Sequence, residues 1–302
     1  MKQNILTYAK GVAMGAADVI PGVSGGTIAF ISGIYERLIN AIKNINLSNV
    51  KLFFKGEFKQ FWKNIDGTFL LSLVLGIITS IFSLAHLMTY LLDHYPILVW
   101  AFFCGLILAS TFFVGKDVKW NWKTILAFLI FTVVAFFVTS PENAPIDATH
   151  SYWFIFICAA IAICAMILPG ISGSFILVLL GQYYFVMEAV KTFNIPVIAI
   201  FVLGALVGIL SFSHVLSWLF KHFKMITLAS LTGFMFGSLN KIWPWKKPIH
   251  DSLAEKNIFP NQYAEITGTD SQLLWAIILV IIGFAIIFVI EYISLRFKKA
   301  EK

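Results

Sequence analysis

Two short motifs constrain this chain more than anything else in it: P-G-V-S-G-G at residues 21–26 and P-G-I-S-G-S at 169–174, each set in the middle of an apolar stretch. A proline removes a helical N–H and clashes with the preceding turn, and the glycine after it completes the break. Each stretch is thereby cut into two limbs, about 5–20 with 27–43 and about 152–168 with 174–190. A transmembrane helix needs roughly 20 apolar residues, so each limb is short for a crossing and each pair is too long for one. Both pairs read as re-entrant hairpins, 5–43 and 152–190, which enter and leave the membrane on the same side.

The motifs are the visible part of an internal repeat. At an offset of 148, Ala17, Pro21, Gly22, Ser24, Gly25, Ile28, Gly33, Tyr35, Ala41 and Lys43 meet identical residues in the second half. Further along, at an offset of 128, Gly76, Ser83, His86, His94 and Gly105 meet Gly204, Ser211, His214, His222 and Gly233. The offset changes because the polar linker 44–66 is much shorter in the second copy. Repeat 1 (1–140) then comprises its hairpin and spans at 67–92, 97–115 and 122–139. Repeat 2 (141–302) comprises its hairpin and spans at 196–220, 225–242 and 273–295, the two forming one integral membrane domain.

Composition enters here to name the solvent. With 59% hydrophobic and 12% charged residues, no water-soluble fold covers this much apolar surface. The expected class is all-α, a polytopic helical membrane protein. A hairpin plus three spans is an odd number of crossings, so the second repeat must be inverted. With both termini cytoplasmic, 17 of the 22 Lys and Arg residues fall inside, as the positive-inside rule asks, and the connection 140–151 carries none. The expected location is the cell (cytoplasmic) membrane, crossed several times. The net charge of +7 is a matter of topology rather than of nucleic-acid binding. Lys10 interrupts the first apolar run, so a cleaved leader is not expected. Cys104, Cys158 and Cys164 lie within apolar runs and read as small core residues; no metal-ligand spacing or cofactor motif occurs.

Backbone that leaves helix geometry is tolerated at membrane depth only inside protein or along a wet cavity. Two inverted tips are expected to meet near the midplane, where inverted-repeat transporters place their sites. Ser24, Thr27, Ser172 and Ser174 suit helix N-caps, and Gly25, Gly26 and Gly173 allow close approach to backbone N–H groups. Helix N-termini with hydroxyls beside them attract a small anionic group such as phosphate. Tight packing of small residues is the competing explanation. Asp18, three residues before Pro21, is an ionisable side chain in an apolar stretch: it either carries a coupling ion (a proton or sodium) or orients the tip through backbone hydrogen bonds. Its repeat partner is Met166, so any charge role is one-sided. His86 and His214, equivalent in the repeat, are candidates for coupling by protonation. Glu36 and Arg37 sit where snorkelling to the interface explains them. Gln182 and Glu188 lie on the second hairpin, and His94 and His222 mark span ends.

Over essentially its whole length the chain resembles the polyprenyl-phosphate translocases of the PopT type. The resemblance rests on G-A-A-D-V-I-P-G-V-S-G-G-T-I-A-F-I-S-G-I-Y near the start and L-P-G-I-S-G-S-F-I-L in the middle. It implies a flippase that returns undecaprenyl phosphate across the membrane for carrier-lipid recycling. It also implies binding roles for Asp18, Ser24, Gly25, Gly26, Thr27, Ser172, Gly173 and Ser174, with Arg37 as a weaker candidate. The expected partners are the polyprenyl-phosphate lipid and the bilayer, with no nucleic acid. Two alternatives stand beside this reading. An ion-coupled transporter of a small soluble anion would use the same cradle. A membrane polyprenyl-diphosphate phosphatase also has hairpins with P-G-x-S, but carries Arg after the serine; Gly25 and Gly173 occupy those positions here, without a cation for a transferred phosphoryl group.

Overall fold

The computed structural model describes residues 2–18, 24–140, 150–170, 172–248 and 255–300. The Pro21–Gly22 break, most of the 140–151 connection and part of the 241–272 loop lie outside them. The described chain is an all-α protein apart from one small hairpin of strands, and its apolar helices mark it as a membrane protein. Fourteen helices occur among the described residues. The first half has α1 (Lys2–Asp18), α2 (Gly25–Ile31), α3 (Tyr35–Lys43), α4 (Leu47–Phe54), α5 (Phe58–Asn64), α6 (Gly67–His94), α7 (Pro96–Lys116) and α8 (Trp122–Val138). The second has α9 (Tyr152–Ile167), α10 (Gly173–Leu179), α11 (Tyr183–Lys191) and α12 (Ile195–Ser238), then strands β1 (Lys246–Pro248) and β2 (Glu255–Asn257), α13 (Pro260–Thr267) and α14 (Leu273–Ala300).

The long apolar segments are helical. α7 and α12 are each apolar and long enough to cross a membrane, while Trp122–Val138, Tyr152–Ile167 and Leu273–Val289 are shorter apolar helices. The 44 residues of α12 would reach about 66 Å as one rod, twice the hydrocarbon thickness. Phe223 leaves helical geometry (φ −133°, ψ 40°) and divides it between the two segments expected at 196–220 and 225–242.

The hairpins differ from the expectation in one respect. The second limb of each, read as a single helix over 27–43 or 174–190, is two helices. Gly33 (φ 71°) and Gly181 (φ 66°) adopt the left-handed conformation that ends α2 and α10, and the chain turns there into α3 and α11. The turn between α10 and α11 bends by 111°. Glycine carries no Cβ to oppose this φ, so a pair of repeat-equivalent glycines sets a pair of equivalent corners. The polar linker 44–66 is also helical. Asn46 accepts from Asn49 N–H to start α4, and Gly56 (φ 81°) separates it from α5.

The chain divides into two compact units that both draw on the two halves: residues 1–85 with 145–227, and residues 86–144 with 228–302. In the first, α1 packs on α2, α9 on α10, and α2 on α9. Gly76 of α6 lies against the Tyr8 carbonyl of α1, and Gly204 of α12 lies against the Phe156 carbonyl of α9, each so close that a Cβ would collide. Small residues let membrane helices approach in this way. In the second unit, Gly105 of α7 lies on the Val280 backbone of α14, and Gly233 of α12 on the Phe128 backbone of α8. The β1–β2 hairpin closes one end of this unit. Trp245 and Ile258 bury themselves with Ile97, Ala101 and Ala276, and the Trp243 and Trp245 indole N–H groups donate to the Ile258 and Ser271 carbonyls. Outward faces of α6, α8 and α14 present Leu, Ile, Val and Phe side chains, as lipid-facing helices do.

Candidate functional site

In the first unit the two hairpins meet at the start of α2 and the end of α9. The last turn of α9 leaves carbonyls without helical partners, and the first hairpin supplies donors for them. Ser24 Oγ donates to the Met166 carbonyl at 2.8 Å, and Tyr35 Oη donates to the Ile167 carbonyl at 3.1 Å. In return, Gly170 N–H donates to Thr27 Oγ1 at 2.9 Å. Ser24 and Thr27 are both 1% exposed, so their hydroxyls are withdrawn from the surface at this junction. Gly26 fits under the same junction: a Cβ there would stand 2.5 Å from the Ile167 carbonyl oxygen.

α2 is also held at both ends by α1. Asp18 Oδ1 accepts from Gly25 N–H at 2.7 Å, and Ser24 Oγ accepts from Gly26 N–H at 3.0 Å. At the other end Lys10 Nζ donates to the Ser32 carbonyl at 2.7 Å. An acidic group at the N-terminus and a basic one at the C-terminus both complement the helix dipole. The spacing is geometrically apt, since eight residues of α1 rise about 12 Å and the seven of α2 about 10 Å.

The second tip is built differently. Ser172 stands at the N-cap position of α10 but its side chain caps no backbone N–H of the helix; its Oγ pairs instead with Ser174 Oγ at 2.8 Å. Ser172 is buried and Ser174 is exposed. Gly173 fits against the Ala162 carbonyl, 2.8 Å from where its Cβ would be. The positions matching Lys10 and Asp18 are Cys158 and Met166. Gln182, at the α10–α11 corner, is fully buried with its Oε1 3.3 Å from His150 Nδ1.

Of the residues singled out from the sequence, the structure gathers Asp18, Ser24, Gly25, Gly26 and Thr27 at one tip and Ser172, Gly173 and Ser174 at the other. Arg37 is engaged elsewhere: its guanidinium pairs with Asp66 at 2.6 and 3.0 Å and lies 4.3 Å over the Phe69 ring. Glu36 pairs with Lys224 at 2.7 Å. His214 is exposed and bonds its own helix at the Leu210 carbonyl. His86 lies in α6, its side chain outside the described residues. Three participants escaped the sequence reading. Tyr35 and Lys10 had recognisable signals, a repeated tyrosine and a cation inside an apolar limb. The α9 carbonyls had none, because backbone acceptors carry no residue code.

The sequence that builds this junction is similar to those of known proteins. The family described as VCA0040-like, undecaprenyl phosphate translocase-like, matches residues 14–259. A protein of Vibrio cholerae named polyprenyl-phosphate transporter is 44% identical over 98% of this chain and 97% of its own length. A Staphylococcus aureus protein of the same name is 33% identical over 78% of this chain and 84% of its own. No solved structure matches. With a match of this extent, the chain belongs to the undecaprenyl phosphate translocase-like family of membrane proteins.

Proposed function

We propose that this protein is a transporter, not an enzyme, which returns undecaprenyl phosphate from the outer to the inner leaflet of the cytoplasmic membrane for reuse as an envelope carrier lipid. The observation that carries this reading is the junction of the two hairpins. Unwound backbone, buried hydroxyls and glycine N–H groups from both halves converge there, in a family whose relatives are named for polyprenyl-phosphate transport. A lipid phosphate crossing hydrocarbon needs partners for its charge, and the prenyl chain can remain in lipid meanwhile.

On this reading the hairpins are re-entrant and the halves are inverted repeats, 1–140 and 141–302, with both termini cytoplasmic. The matched approaches Tyr8–Gly76 and Phe156–Gly204 support the repeat. So does the exchange in the second unit: α7 of the first half packs on α14 of the second, and α12 of the second on α8 of the first. The phosphate is held between the tips. Asp18 already occupies the N-terminus of α2, so the free hydroxyl pair Ser172–Ser174 faces the cargo, while the first tip supplies the rigid wall. Gly25, Gly26, Thr27 and Gly173 shape that cradle. Asp18, His86 and His214 are the candidates to carry a coupling proton or sodium ion. Arg37, held by Asp66, serves the interface rather than the tips.

The test is the surface exposure of undecaprenyl phosphate on living cells. Depletion of the protein is expected to leave more lipid phosphate outside and overproduction to clear it. Unchanged exposure in cells lacking any redundant carrier would transfer the case to a small soluble anion.

A further inference from the structure

The segment between α3 and α6 has no counterpart in the second half, where only residues 192–194 separate α11 from α12. It is an ordered element rather than a loose linker. Asn44 Nδ2 donates to the Asn64 carbonyl, Asn64 Nδ2 to Asn49 Oδ1 and Asn49 Nδ2 to the Asn44 carbonyl, at 2.9, 2.7 and 2.8 Å. This closed ring of asparagines ties the two ends of the segment together. Phe53 joins its helices, with ring centroids 5.0 Å from Phe58 and 5.4 Å from Phe61.

Yet no residue of α4 or α5 is buried. Leu47 is 82% exposed, Phe54 83%, Phe58 57% and Trp62 43%. On helical geometry Leu47, Val50 and Phe54 share one face of α4, and Phe58, Phe61 and Trp62 share one face of α5. Lysines recur beside these faces at every fourth residue: Lys51, Lys55, Lys59 and Lys63. None of the four makes an ion pair among the described residues. Lys59 and Lys63 line an open cleft of about 380 Å³ together with Trp62, Gly67, Thr68 and Asp66, whose carboxylate is already paired with Arg37. The indole of Trp62 lies on Gly67 and donates to Thr68 Oγ1 at 3.0 Å.

We propose that α4–α5 is an interfacial docking element for an anionic lipid surface. Its phenylalanine and tryptophan rings enter the boundary of the acyl chains, while Lys51, Lys55, Lys59 and Lys63 hold phosphate headgroups, one of them in the Lys59–Lys63 cleft. Charge complementarity and position select this occupant. The element joins two membrane-embedded segments, so a bilayer surface is within its reach, and an aromatic face flanked by lysines is the pattern of helices that lie in the interface. The inference concerns the bilayer and holds whichever cargo the hairpins carry.

Hydrogen exchange on the full-length protein tests it, in nanodiscs of phosphatidylcholine alone and of equimolar phosphatidylcholine and phosphatidylglycerol. Amides of 47–64 are expected to exchange about tenfold or more slowly in the anionic discs, and high salt should erase the difference. Replacing Lys51, Lys55, Lys59 and Lys63 by Gln should erase it too, with the α7 amides unchanged as the internal control. Phe54→Ser with Phe58→Ser should lose the protection in anionic discs. Equal exchange of wild type in both discs, or protection that appears only when a protein extract is added, would overturn the proposal. Neither disc contains a polyprenyl phosphate, so this result stands apart from the outcome of the transport test.

Discussion

The first hairpin is electrostatically clamped and the second is not. Lys10 and Asp18 of α1 grip the two ends of α2, whereas their counterparts Cys158 and Met166 leave α10 without any such grip. Ser24 caps its helix and bonds across to α9, whereas Ser172 bonds only Ser174. Two copies of one sequence unit thus carry different hydrogen bonding at matching positions. One tip has its polar groups consumed in holding the fold; the other keeps hydroxyls that no backbone group claims among the described residues. On the proposed reading, a pair that presents itself to both leaflets gains from this inequality, because a rigid half gives the other something to move against.

The comparison is most exposed to replacement of Asp18. Asp18→Ala removes a hydrogen bond to a charged group, worth about 1.5–3 kcal/mol, and should lower transport about tenfold or more. Met166→Ala, its repeat counterpart, should stay within about twofold on the same arithmetic. Similar losses in both would end the claim of unequal tips. Gly26→Ala comes next. Its Cβ would press on the Ile167 carbonyl at 2.5 Å, backbone that cannot swing aside. Overpacking of this kind costs about 1–3 kcal/mol and should show as a lowered thermal midpoint in detergent.

A third pair separates the serines. Ser24→Ala should cost about 1 kcal/mol of stability through the lost cap and the orphaned Met166 carbonyl. Ser172→Ala should leave the melting temperature unchanged and lower transport. A drop in stability without a drop in transport at Ser172 would move the cargo site away from the second tip. The most local effect is expected at Lys10→Met, where loss of the Ser32 contact at the end of α2 is read as faster hydrogen exchange across that helix. Cys158→Ala should leave the exchange of α2 unchanged.

Much of this was legible beforehand, for physical reasons that also mark where legibility stops. The long apolar segments follow from hydropathy, since lipid demands it, and α7, α8 and α12 are apolar helices. The Asp18–Met166 inequality was visible as soon as the repeat was aligned. Lys10 stands opposite Cys158 in the same alignment, but its partner is the backbone carbonyl of Ser32, which no residue code announces. The corners at Gly33 and Gly181 were present as a matched pair, yet a glycine's φ is decided by the chain that packs around it. Ser24 is the instructive case. Its residue type announces a cap, and α2 confirms one, but the second bond to Met166 depends on a tertiary approach that no residue spacing encodes.

The central claim is transport of a polyprenyl phosphate through the hairpin junction, and reconstitution tests it most directly. Purified protein in proteoliposomes, loaded with a polyprenyl phosphate in one leaflet, should move the headgroup to the other leaflet well above the protein-free rate. Asp18→Ala should abolish most of that gain while Lys51→Gln leaves it largely in place. Movement no faster than in protein-free vesicles, or equal movement by wild type and Asp18→Ala, would contradict the account.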